Sequence, residues 1–183
     1  MCKYFIDMEF VETPGTIDLI SIGIVTEGSG FGYYALNKEC KIAQAWENEW
    51  VRENVLKSIY NEYQPMTFGF SLITMEDIFH KHGITKKRMQ HEIIQFTNLD
   101  EHPEFYGYYA DYDWVVFCWI FGRMIDLPEH FPMYCRDLKQ IMDEKGLTKE
   151  WKHEHCPDPE GEHNALVDAK WNLKLFNELQ KIT

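Results

Sequence analysis

Apolar and polar positions in the first third of the chain follow the two-residue period of strands. KYFIDMEF, TIDLISIGIVTE and GFGYYALN read as three β-strands. VETPG links the first two as a turn, and Glu27-Gly28-Ser29-Gly30 links the last two with the residues of a tight hairpin. A three-stranded antiparallel meander is expected. The period then changes to that of helices, over residues 46–60, 75–82 and 86–96, with Gly83 separating the last two and Thr85 placed as an N-cap. EFYGYYA reads as a short aromatic strand and residues 112–124 as a strongly apolar helix. FPMYC reads as another strand, before a helix over 136–145 that stops at Gly146. Pro157, Pro159 and Gly161 mark 148–162 as mainly loop, and Leu166, Ala169, Leu173, Phe176 and Leu179 mark one face of a C-terminal helix. Strands first, then helices alternating with two further strands, predict one α/β domain over residues 1–183.

Composition narrows the classes. Hydrophobic residues make up 45% and aromatics 15% of 183 residues, which is too apolar for a disordered chain. The 18 basic residues against 30 acidic ones leave a net charge of -12. That balance argues against gripping duplex DNA through a broad basic face. It leaves room for an enzyme that touches a short single strand, above all if bound cations neutralise a carboxylate cluster. No apolar run reaches the roughly 18–20 residues of a membrane span, and with acids within MCKYFIDMEF no signal peptide is expected. Cys2, Cys40, Cys118, Cys135 and Cys156 are scattered without a C-x-x-C pair, so a reduced, cytoplasmic location is expected.

The chemistry starts with Asp7 and Glu9. At i and i+2 of a strand they leave the same face, with Cα atoms about 6.5–7 Å apart. Two carboxylates on an apolar strand are costly unless solvated or neutralised, and Mg²⁺ or Mn²⁺ would neutralise them. An ordinary strand with one wet face has the same pattern. Asp111 and Asp113 lie where an aromatic strand meets an apolar helix; Asp111 also reads as the N-cap, whereas Asp113 heads the buried run WVVFCWIF. His163 precedes Asp168 by five residues at the start of the last helix. His153 and Asp158 repeat that spacing, and Asp158-Pro159-Glu160 repeats Asp-x-Glu. Those copies fall in the expected loop, with neither strand nor helix to aim them, and are set aside.

In this order the acids resemble the motifs of the DEDDh exonucleases of the RNase H-like superfamily: Asp-x-Glu on the first strand, an Asp after a mid-chain strand, and a late His-x4-Asp. The resemblance spans residues 4 to about 180 and falls on Asp7, Glu9, Asp113, His163 and Asp168. ADYD aligns with the family's Asn-Ala-x-Phe-Asp type of motif, which selects Asp113 over Asp111. Phe10, YYADYDWVV and FPMYCRDL are similar to the RNase AS-like exoribonucleases of bacteria and phages. Two departures from the wider family are Tyr108-Tyr109 in place of His-Asn, and Phe10 where Thr is common.

The resemblance implies an RNase H-like mixed sheet of about five strands, an antiparallel meander plus parallel strands, flanked by helices on both faces. It implies 3'-5' hydrolysis of single-stranded RNA, adenylate-rich strands being candidates, to nucleoside 5'-monophosphates. Two Mg²⁺ ions, replaceable by Mn²⁺, would be held by Asp7 (bridging), Glu9 and Asp168 (nucleophile side) and Asp113 (the other side). His163 would be the general base, a task suited to imidazole with its ordinary pKa of about 6.5. Met8 and Phe10 would border the terminal nucleotide. Arg136 would reach a phosphate or pair with Asp137, and Lys81, Lys86, Lys87 and Arg88 would track phosphates or form a solvated helix end. RNase AS-type relatives form homodimers, for which Trp46, Trp50, Tyr60 and Tyr63 would offer a surface. Two alternatives remain open: a DEDDh enzyme acting on DNA 3' ends or short oligonucleotides, and a non-catalytic metal or nucleic-acid binding module built on His153, His155, Cys156 and His163.

Overall fold

In the computed structural model, which describes residues 2–28, 31–63, 69–97 and 102–182, the meander forms as expected. β1 (Lys3–Thr13) pairs antiparallel with β2 (Thr16–Thr26), and β2 with β3 (Gly32–Leu36). β4 (Glu104–Gly107) then lies parallel to β1, and β5 (Arg136–Asp137) parallel to β4. The result is a mixed, five-stranded sheet in the order β3-β2-β1-β4-β5, with the acid-bearing strand at its centre. Ser29 and Gly30 of the expected hairpin lie outside the described residues.

Alternation along β1 decides what covers each face. Tyr4, Ile6 and Met8 enter a core with Met89 and Ile93 of α5 (Lys86–Thr97) and Phe117 of α6 (Asp111–Phe121). On the opposite face Phe5 joins Tyr106, Leu138 and Phe176, among α7 (Leu138–Glu144) and α9 (Ala165–Gln180). Val11 joins Val55, Ile59 and Phe79 instead, among the helices of the middle region. These run α1 (Ile42–Glu47), α2 (Glu49–Val51), a π-helical turn at Arg52–Leu56, α3 (Lys57–Tyr63) and α4 (Leu72–His82). One face of β1 therefore meets two separate cores. A bulge between Glu9 and Phe10, where β2 carries Ile20 as an extra residue, turns Ile20 into the second of them.

Several expected boundaries move. β1 continues through Thr13, so the VETPG turn shrinks to Pro14 and Gly15, the latter at φ +84°. The mid-chain helices start at Ile42, and Asn48 breaks them by accepting the Val51 N–H at 3.1 Å. Thr85 does cap α5, accepting the Arg88 N–H at 3.3 Å. The EFYGYYA strand ends at Gly107, where a Cβ would sit 2.7 Å from that of Ala110 as the chain turns into α6. FPMYC is not a strand; β5 is the two residues after it. Nearly half of residues 148–162 is helix and not loop, because Thr148 caps α8 (Lys149–His155) by accepting the Trp151 N–H at 3.3 Å. The turn-forming prolines and glycine lie only beyond that helix. Ala110, not Asp111, is the N-cap of α6. Among the described residues no helix is long and apolar enough to cross a membrane.

Candidate active site

Between the two cores on one face of β1 lie Asp7 and Glu9. Across on β2 they face Gly23 and Ser21. Gly23 is small for a reason: a Cβ there would lie 2.1 Å from the Ala165 carbonyl oxygen. The absence of a side chain lets the first turn of α9 rest directly on the sheet beside Asp7. Asn164 caps that turn, its carboxamide oxygen accepting the Leu166 and Val167 N–H groups at 3.1 and 3.3 Å. Two turns on, the buried amide of Asn172 donates to the Ile6 carbonyl at 2.8 Å. With both points held, Asp168 is set over the strand acids. Its carboxylate accepts the His163 N–H at 2.8 Å, folding the approach loop so that His163 returns to the same place at φ +66°. Ligand atoms of Glu9, His163 and Asp168 all lie within 4.8 Å of one another.

Asp113 comes from the other side. The last paired residues of β1 and β4 are Phe5 and Tyr106, so the ladder stops before Met8. The Asp113 carboxylate takes the free Met8 N–H at 2.8 Å, which fixes the first turn of α6 against the strand. Asp7, Glu9, Asp113 and Asp168 thus converge from a strand and two helices.

Their protonation reflects the crowding. Burial, followed by the charges of Asp113, Glu9 and Asp168, holds the Asp7 carboxyl well above the usual carboxylate range. Burial and then Asp168, Asp113 and Glu162 push Glu9 up to about 8. Asp113 and Asp168 are each raised to about 7, mainly by burial, with the N–H groups of Met8 and His163 pulling the other way. Four mutually repelling carboxylates, Glu9 and Asp113 buried and Asp7 and Asp168 half-buried, with one imidazole are a donor set that suits hard divalent cations, which would remove the repulsion.

A cavity of about 200 Å³ opens beside these acids, lined by Asp7, Tyr108, Lys152, Asp158, His163, Asp168 and Trp171 among others. A family description of the 3'-5' exoribonuclease Rv2179c-like domain matches residues 72–180. The chain is 30% identical over 176 residues, 95% of its own length and 90% of the relative's, to the 3'-5' exoribonuclease Rv2179c of Mycobacterium tuberculosis strain H37Rv. The same figures hold for the 3'-5' exoribonuclease MT2234.1 of strain CDC 1551. The chain belongs to the Rv2179c-like 3'-5' exoribonuclease family. The segment that matches the Rv2179c-like domain contains Asp113, His163 and Asp168; Asp7 and Glu9 precede it and reach them through the sheet.

Against that Rv2179c-like background, the other residues singled out in the sequence separate clearly. The Met8 side chain is buried in the α5–α6 core, so only its backbone serves the site. Phe10 packs partly on the same core and meets Tyr112 edge-on at 6.2 Å. Arg136 is not brought to the cleft: its guanidinium pairs with Glu104 at 2.9 Å and lies over the rings of Tyr106 and Tyr134. Asp137 is not its partner; that carboxylate accepts the Ala110 N–H at 2.8 Å and caps α7. Lys81 and Arg88 are paired along their own helices with Asp77 and Glu92, both at 2.7 Å. Among the described residues Glu9, His163 and Asp168 are the one trio of His, Cys, Asp or Glu whose ligand atoms all lie within 4.8 Å of one another, so His153, His155 and Cys156 do not assemble a zinc site with His163. Of the four aromatics expected at a surface, Trp46, Tyr60 and Tyr63 pack on the mid-chain core and Trp50 is exposed, and α6 adds exposed side chains at Tyr112, Val115 and Trp119.

Two neighbours escaped the sequence. Asp158, set aside as loop, lines the cavity because α8 delivers Lys152 to it: the buried ammonium binds the Asp158 carboxylate at 2.6 Å, over the rings of Tyr108 and Trp171. The helix-capping pattern Thr148-Lys149-Glu150-Trp151 was the available signal. Trp50 places its ring 4.8 Å from the His163 imidazole, an approach across more than a hundred residues that no local pattern announces.

Proposed function

We propose that this exoribonuclease is a metal-dependent enzyme of the DEDDh type, removing nucleoside 5'-monophosphates from the 3' ends of single-stranded RNA. The observation that carries the reading is the convergence of Asp7, Glu9, Asp113 and Asp168 from three elements, with His163 beside them. Asp7, Glu9, Asp113 and Asp168 would hold two Mg²⁺ or Mn²⁺ ions. Such ions would supply charge neutralisation at the phosphate and a stabilised leaving oxygen.

The chain's own groups do the rest. His163 takes the proton from the attacking water as general base, and its ring is steadied by the Trp50 edge contact. The hydrogen bond from its backbone N–H to Asp168 keeps base and ligand in one unit. The ladder end at Met8 anchors Asp113, so the four carboxylates keep their spacing as substrate enters. An acidic protein of this kind suits a single strand fed in by its end, adenylate-rich RNA being the first substrate to try.

The test is a time course on 5'-labelled, A-rich RNA and the matched DNA, with Mg²⁺ or Mn²⁺, with EDTA, and with Asp7→Ala. A ladder shortening from the 3' end of RNA, lost with EDTA and with the variant, is expected. Shortening of DNA at equal or greater rate would move the enzyme to deoxyribonucleotide substrates. Cleavage that persists in EDTA would overturn the metal-dependent mechanism.

A further inference from the structure

Among the described residues, two that are not glycine have positive φ: His163 at +66° and Tyr109 at +55°. One lines the cleft and the other adjoins a side chain that does. His163 lines it directly, and the Tyr109 ring meets, at 4.7 Å, that of Tyr108, which also lines it. The left-handed conformation at residue 109 is imposed by the tight passage from β4 to α6. Gly107 there packs against Ala110, and the Ala110 N–H is held by Asp137. Glycine or asparagine occupies such a position at little cost, whereas an L-residue with a bulky side chain is disfavoured by about 1–2 kcal/mol. The motif this segment resembles carries Asn at that point, and this chain carries Tyr.

Burial does not offset the strain, because Tyr109 is 63% exposed. Strained residues that folding does not reward cluster where function needs them. The next exposed ring, Tyr112, lies on the first turn of α6 one residue before Asp113 and touches Phe10. This protein carries a net charge of -12 and its densest basic stretch is paired internally in part, so phosphate contacts are a poor source of affinity. Stacking of bases on aromatic rings needs no positive charge.

We propose that Tyr109 is a substrate-binding residue that stacks on a base of the RNA strand at the mouth of the cleft, with Tyr112 as the adjoining ring. The proposal rests on the exoribonuclease reading above. Its structural prediction is unusual: the side chain that binds substrate destabilises the fold.

The test compares Tyr109→Asn, Tyr109→Gly and Tyr109→Phe. Thermal melting is read beside the Kd for a fluorescein-labelled oligoadenylate in EDTA, and kcat and KM are read in Mg²⁺. Tyr109→Asn should melt about 2–4 °C higher and bind the oligonucleotide roughly 10-fold more weakly, the change in turnover appearing in KM rather than kcat. Tyr109→Phe should keep the wild-type Kd. An unchanged Kd in Tyr109→Asn, an equal loss in Tyr109→Phe, or a lower melting point in both the Asn and Gly variants would each overturn the proposal. The binding arm does not depend on cleavage: wild-type protein that binds oligoadenylate through Tyr109 but shortens no RNA would sink the exoribonuclease reading and not this one.

Discussion

The side-chain amide of Asn172 donates to the Ile6 carbonyl oxygen at 2.8 Å, tying the middle of α9 to the strand residue before Asp7. This bond sets the register of the helix that carries Asp168 against the strand that carries Asp7 and Glu9. Asn172→Leu would leave the buried Ile6 carbonyl without that donor, a loss of about 1–3 kcal/mol. A melting point lower by several degrees is expected. Activity should fall at least 10-fold even at temperatures where the variant is folded, because ligands displaced by a fraction of an ångström lose their geometry. Circular dichroism melts beside single-turnover rates decide it; wild-type activity in a destabilised variant would show that the bond serves stability alone.

Gly23 is the second fixed point. Its missing Cβ is what permits the Ala165 carbonyl to approach, and the obstacle is backbone, not a flexible side chain. Gly23→Ala therefore has to push the start of α9 off the sheet, at a cost of about 1–3 kcal/mol in strain. The expected signature is weakened divalent-ion binding, measured by titration calorimetry, together with loss of RNA shortening. Unaltered ion affinity would show that Asp168 does not depend on this contact.

The raised carboxyls make stability depend on pH in a definite direction. In the unfolded chain these groups ionise near pH 4, whereas in the folded protein Glu9 does so at about 8 and Asp113 and Asp168 at about 7. Between those limits the unfolded state holds fewer protons, so their contribution to stability falls as pH rises from about 4 to 8. Glu9→Gln removes one of them. In metal-free buffer its advantage over wild type should be near zero at pH 4 and grow to about 1–3 kcal/mol by pH 8. Mg²⁺ should raise the melting point of wild type more than that of the variant. A constant difference across the range would contradict the assignment.

Lys152 and Asp158 form an unequal pair. The lysine side chain is 9% exposed and the aspartate 39%. Removing the lysine leaves a carboxylate that water still reaches, whereas removing the carboxylate leaves an ammonium buried between Tyr108 and Trp171. Asp158→Asn should therefore destabilise more than Lys152→Met, by about 1–3 kcal/mol in urea denaturation. The reverse order would mean that the aromatic faces alone carry the cation.

Local sequence signals were enough for a good part of this protein. Alternation through KYFIDMEF and TIDLISIGIVTE determined the meander, and put Asp7 and Glu9 on one face, because successive strand side chains point in opposite directions whatever the rest of the fold does. Apolar spacing determined α9, and Thr85 determined the start of α5, since helix ends are satisfied within one turn. The order of acids along the chain singled out side chains that the fold brings together. Tertiary structure decided the rest: that Met8 serves through its N–H, that Arg136 is held away by Glu104, that Asp158 joins the cavity through Lys152, and that Trp50 stands against His163. These contacts depend on which partner arrives from a distant segment. Strand and helix periods arise from steric repeats between near neighbours, and carry no record of how one element packs against another.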